Sequence, residues 1–273
     1  MIDILHRESG ESLLAVPGDS LAGARLDGAV LLYADLRAAD LRGADLRGAD
    51  LCQADLRGAR LDGARLTGAD ITLANVAGAS FRGASLADAR LQAVSLAEVG
   101  PARTDFREAD LTRVTLKNSN LGGSLFGDAE MRRIDLTHVD LRGADLAGAN
   151  LTEANLSYSD LREADFSFTL LLGALFNGAD LRGAVLRQAD LTFATCNGTA
   201  MAGADLAGAQ LSRTVFAQVQ DLKLARGLEL VNGVQPSSLD LETFRAARSG
   251  LGEGFLAAVG LTADAVSLPG PRV

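Results

Sequence analysis

Base, nucleophile and metal-ligand chemistry begins with histidine and cysteine, and this 273-residue chain has two of each: His6, His138, Cys52 and Cys196. The cysteines form no zinc spacing or disulfide framework. There is no HExxH, phosphate loop or dinucleotide glycine motif. His138 has no serine or cysteine nucleophile in reach that would make it a general base. The expectation is a chain without catalysis, metal or cofactor. Charged groups are more plentiful: 35 Asp+Glu against 26 Lys+Arg, a net charge of −9. That balance speaks against direct binding of nucleic acid or anionic membrane, because phosphate recognition runs on clustered positive charge. No apolar run is long enough for a membrane-spanning helix. His6, Arg7 and Glu8 interrupt the apolar core an export signal needs. A cytoplasmic, soluble protein is expected.

The elements that position these charges come from a repeat. From Leu21 to Phe216 every fifth position is a bulky apolar residue, Pro101 excepted, in one unbroken frame. Two residues earlier usually stands alanine, and one earlier often Asp or Asn, as in Ala44-Asp45-Leu46-Arg47-Gly48. A period of five suits neither a helix nor a flat strand. Each unit turns one small and one large side chain inward, so the chain bends by about a right angle per unit and closes a four-sided coil every four units. Alanine follows from volume, since a narrow prism cannot hold two large side chains per face. Glycine two residues after the central one suits the corners.

The A-[D/N]-L-x-x pattern closely resembles the pentapeptide-repeat family. That resemblance implies an all-β solenoid, a right-handed quadrilateral parallel β-helix. About forty units give about ten coils and a rod on the order of 48 Å long. Residues 1–18 read as an N-terminal hairpin cap, 19–220 as the β-helix, and 221–273 as a closing segment with a short α-helical tail starting near Asp240. Larger inward residues between Gln92 and Val139, with Pro101 at a central position, predict a local bulge or bend.

Two outward features are candidates for function. Stacking twenty residues apart builds carboxylate columns: Asp50 with Asp70, Asp110 with Glu130, Asp140 with Asp160 and Asp180, and Asp145 with Asp165. The family resemblance implies that such columns can imitate duplex DNA toward a type II topoisomerase, gyrase or topoisomerase IV, giving protection from poisons such as quinolones. Arginines such as Arg142, Arg162 and Arg182 offset the repulsion within the columns. The second feature is apolar residues at outward positions: Tyr158, Phe168, Leu170, Leu172, Leu175 and Phe193, with Tyr33 and Leu73 on the same side near the other end. Such a patch marks an interface. The leading expectation is a rigid, non-catalytic scaffold presenting this face to a protein partner or to itself, as a homodimer through the apolar face or the C-terminal region. DNA mimicry is the alternative.

Overall fold

The computed structural model describes residues 1–91 and 104–261. The bend expected at Pro101 and the last residues of the tail lie outside them.

A short inward alanine and a longer inward leucine alternate with outward residues, so each unit makes one flat segment and one corner. In the unit centred on Leu46, its N–H donates to the Arg65 carbonyl at 2.7 Å, and the Arg65 N–H donates to the Ala44 carbonyl at 2.9 Å. These bonds run along the axis between successive coils. The bridges are parallel, with a step of 20 residues: Arg25 to Asp45, Val30 to Asp50, Asp35 to Asp55, Asp40 to Arg60. Four bridges complete a turn of a right-handed β-helix with four faces. Corners are closed turns: the Ala44 N–H donates to the Leu41 carbonyl at 3.0 Å, and Gly43 between them has φ 63°. That positive φ at the third turn position is what a type II turn requires. Central leucines are buried, as are their alanines from Ala44 onward, and Phe81, Phe106 and Phe126 stack at 5.1 and 5.0 Å along one wall of the core.

The uniform twenty-residue stacking step expected from sequence does not hold throughout. Ser80 bridges Asp105, Ser85 bridges Asp110 and Arg90 bridges Thr115, a step of 25. One extra unit length therefore lies between Leu91 and Thr104, and residues beyond it sit a quarter-turn from where a uniform twenty-residue step would put them. Because the extra length equals one unit, the fivefold pattern passes through it unchanged.

At the N-terminal end, β1 (Ile2–His6) pairs antiparallel with β2 (Ser12–Val16) and on its other edge with β3 (Ala34–Asp35), part of the first coil. At the other end the step grows: Asp205 to Arg226, Gln210 to Asn232, Val215 to Ser238. Two 3-10 turns, Leu222–Leu224 and Leu228–Leu230, widen the corners of this closing coil. Helix α1 (Leu241–Ala247) begins at Asp240, whose Oδ1 accepts from the Thr243 N–H at 2.8 Å. The Val219 N–H donates to Thr243 Oγ1 at 3.0 Å, and the Gln218 N–H to Asp240 Oδ2, which ties α1 to the coil beneath. Helix α2 (Glu253–Ala258) buries Phe255 edge-on to Phe216, ring centroids 5.4 Å apart. Gly254 lies so close to the Glu229 carbonyl that a β-carbon there would approach it to 2.4 Å. The tail, as far as Leu261, is docked over the open end of the core.

Candidate interaction surface

The left-handed corner position carries most of the outward apolar residues. Tyr33, Leu73, Tyr158, Phe168 and Phe193 all have φ between 58° and 62°, at a corner position that glycine holds in about half of the units. For an L-residue that conformation costs on the order of 1 kcal/mol. In return, the side chain projects from the edge of the prism.

Phe168, Leu170, Leu172 and Leu175 follow one another along a single coil. Phe168 is 61% and Phe193 53% exposed, while Leu172 is half-buried. Phe193 rises one coil above Gly173 on the same corner, whose N–H donates to the Thr192 carbonyl at 2.9 Å. Tyr158, 62% exposed, lies over Gly178 and stacks on His138 at 5.3 Å, so the apolar belt ends in an aromatic ladder at the next corner. The described tail stays at the end of the rod and leaves this belt uncovered.

The structure relocates the residues near the other end. A uniform step would align Tyr33 and Leu73 with Gly173 and Phe193. The 25-residue step aligns them with His138 and Tyr158 instead. Tyr33 is also half-buried under the hairpin, with His6 at 5.3 Å and Arg7 over its ring at 5.2 Å. Its place is in the contact between hairpin and first coil. Leu73 remains exposed, well away from the belt.

The acidic columns form as spaced: Asp50 bridges Asp70, Asp110 bridges Glu130, Asp140 bridges Asp160, Asp160 bridges Asp180, and Asp145 bridges Asp165. Their charge is another matter. Arg142, Arg162 and Arg182 each clamp the aspartate two residues before them, at 2.6 Å. Arg142 and Arg162 also reach the aspartate of the next coil, at 3.6 and 3.7 Å. The guanidinium hydrogen bonds hold Asp140, Asp160 and Asp180 below the usual carboxylate range. This column alternates in sign and does not present a negative line. Asp70 meets Arg90 only at 3.7 Å, and Glu130 accepts from the Asn150 side chain at 2.9 Å. Asp50, Asp110, Asp145 and Asp165 each accept a backbone N–H two residues on. Among the described residues, none of these four makes an ion pair. Arg133 pairs with Glu153 at 2.6 Å and Arg113 with Asp88 at 2.8 Å.

Burial pushes the Cys196 thiol up to about 12, and Cys52, half-buried beside Asp70 and Asp50, is also raised. Neither thiol is activated as a nucleophile. Among the described residues no group of His, Cys, Asp and Glu is arranged to hold a metal ion. Sequence reasoning missed Val234, 90% exposed, which with Phe193 and Arg213 lines a shallow apolar groove. Arg213 lies over the Phe193 ring at 5.5 Å. Val234 belongs to the widened closing coil, where the fivefold frame no longer marks which residues face out.

A regular prism whose chemistry is all on its outer faces defines a solenoid display protein. The pattern described as pentapeptide repeats matches in eight copies, over residues 20–58, 59–97, 84–128, 129–167 and 169–206, and the chain belongs to that family. Among solved structures, the chain is similar to HetL, a pentapeptide repeat protein involved in heterocyst differentiation regulation in the cyanobacterium Nostoc sp. strain PCC 7120. Identity is 27%, covering 76% of this chain and 88% of HetL, with a TM-score of 0.41. QnrB1, a plasmid-mediated fluoroquinolone resistance protein, is 19% identical, covering 76% of this chain and 97% of its own, with a TM-score of 0.39. A pentapeptide repeat protein of the Arabidopsis thaliana thylakoid lumen is 26% identical over 54% of this chain and 71% of its own, with a TM-score of 0.16. Comparison with curated proteins finds no match.

Proposed function

We propose that the chain is a non-catalytic binding scaffold that engages protein through the apolar belt from Phe168 to Leu175 and the adjoining Phe193. In this reading the hairpin at 1–18 and the segment 221–273 cap a rod of about ten coils at 19–220, working in the cytoplasm. The observation that carries it is the placement of Phe168 and Phe193 at left-handed corners. Bulky residues are kept there against a backbone cost, on a rod whose described residues form no deep pocket, and a protein surface is the occupant such a belt fits. A photo-crosslinking side chain at Phe168 or Phe193 should yield protein adducts, whereas one at Thr67, on the regular coils, should not. Equal labelling from all three positions would remove the belt from consideration.

A second reading, DNA mimicry toward a type II topoisomerase, has one observation in its favour: Asp145 and Asp165 stack without an arginine clamp, beside Glu163 and Asp128. Against it stands the alternating charge of the Asp140 column. Purified protein at micromolar concentration should then inhibit gyrase supercoiling, and Asp145→Asn with Asp165→Asn should relieve it. Unchanged supercoiling excludes gyrase as the target.

A further inference from the structure

The apolar belt does not end at Leu172. Going up the rod one coil at a time, the positions stacked on Leu172 are Thr192, Ser212 and Val234. The Gly173 N–H donates to the Thr192 carbonyl, the Phe193 N–H to the Ser212 carbonyl and the Val234 N–H to Ser212 Oγ, each at 2.9 Å. Beside this column runs the corner ridge of Phe193, Arg213 and Gln235, and the two enclose an open groove of about 330 Å³. Leu172 below and Val234 above are apolar, with two hydroxyl side chains between them. One charge lines the groove. Arg213 lies over the Phe193 ring, 5.5 Å from its centroid, and pairs with no carboxylate among the described residues. Arg133 and Arg187, by contrast, already meet Glu153 at 2.6 Å and Asp205 at 2.8 Å. Asp190 accepts the Thr192 N–H at 3.0 Å and is not part of the lining. The ring steadies the Arg213 guanidinium without neutralising it, so a carboxylate is the complement the groove lacks.

Spacing selects the shape of the ligand. Leu172 to Val234 is three coil steps, about 14 Å, and four residues of extended chain cover about 13 Å. In such a chain residues i, i+2 and i+4 point to one side. The groove is a single side-chain column wide, which suits that one row better than the broad stripe of a helix. We propose that it binds an extended segment of a partner protein with the pattern apolar–x–Asp/Glu–x–apolar. The two apolar side chains pack on Leu172 and Val234. The carboxylate between them lies over Thr192 and Ser212 and pairs with Arg213, while the Phe193 ring keeps water from one side of the pair. Such binding rests on the belt being a protein interface and specifies what that interface recognises.

A random heptapeptide phage library, first depleted on the double variant Phe193→Ser, Val234→Asp, supplies the probe. Selection on the native chain should enrich peptides in which Asp or Glu has Leu, Ile, Val or Phe two residues to either side. A fluorescein-labelled copy of the most enriched peptide should bind Arg213→Glu at least about tenfold more weakly than the native chain. Arg213→Lys should fall between the two, since an ammonium cannot grip a carboxylate with two parallel bonds. Selection on Arg213→Glu should exchange the acidic residue for Lys or Arg. Phe193, Arg213 and Val234 are all exposed, so these variants should fold, checked by unchanged circular dichroism spectra and melting temperatures. No enrichment over the double variant, enrichment without an acidic residue, or equal binding by Arg213→Glu overturns the proposal. Photo-adducts from Phe168 and Phe193 alongside any of these results would keep the belt as an interface and remove this ligand from it. A native dimer that Arg213→Glu dissociates, with no peptide enriched, would replace the partner segment by a second copy.

Discussion

At the scale of single residues, the unit Asp-Leu-Arg explains how a rod lined with aspartates stays folded. In the pair Asp40–Arg42 the two side chains meet at 2.6 Å, and the Arg42 hydrogen bond takes the Asp40 carboxyl down to about 2. A carboxyl whose folded value is depressed stabilises the fold above its unfolded value and stops doing so as pH falls through the folded one. Asp40, Asp140, Asp160 and Asp180 act in the same direction. The melting temperature should be level from pH 8 to about 5, then fall between roughly pH 4 and 2. A profile level down to pH 2 would show that these pairs add nothing to the fold. The corner residues offer a second check. Phe168→Gly removes the left-handed cost and should stabilise the chain by up to about 1 kcal/mol in urea unfolding, while weakening association. Much of this was legible in the sequence. The inward Ala and Leu, the outward Phe168 and Phe193, and the column partners within each half all follow from the fivefold spacing. The spacing also set Arg142, Arg162 and Arg182 in columns beside the aspartates, but the bidentate clamp of Arg142 on Asp140, two residues away on one unit, depends on side-chain conformation, which spacing does not give.

At the scale of elements, the ends differ in how they close the stack. β1 adds strands to a single face of the first coil, whereas α1 and α2 lie over the core itself and bury Phe255 and Leu256. Phe255→Ala should therefore cost roughly 3–5 kcal/mol of local stability. It should speed hydrogen exchange in α2 and the closing coil before it affects the coils around Leu46. Exchange that accelerates evenly along the rod would mean the helices are not a separate lid on the core. The start of α1 at Asp240 carries a signal in the sequence, because a capping aspartate acts locally. Docking of α2 through the bare backbone of Gly254 had no such signal, since a glycine in a helix reads only as a weak point. The widened corners at Leu222–Leu224 and Leu228–Leu230 were equally hidden, each extra residue breaking the frame by one.

At the scale of the whole molecule, each coil touches only its neighbours, so stability should grow with coil number. Removing residues 141–160, one full coil, rejoins Asp140 to Leu161 in register. The shortened chain should keep its circular dichroism per residue and a single cooperative transition, at a lower midpoint. Loss of folding would show that these coils hold some contact beyond nearest neighbours. The 25-residue step was invisible to a reading by fives because an insertion of one unit restores the pattern it interrupts. The same arithmetic makes the rod adjustable in azimuth. Gaining or losing a pentad anywhere along the array would leave the core unaltered, yet turn everything downstream by ninety degrees against everything upstream. Landmarks at opposite ends, such as Leu73 and Phe193, can in this way be re-aimed toward one another or apart by a change that replaces no buried side chain.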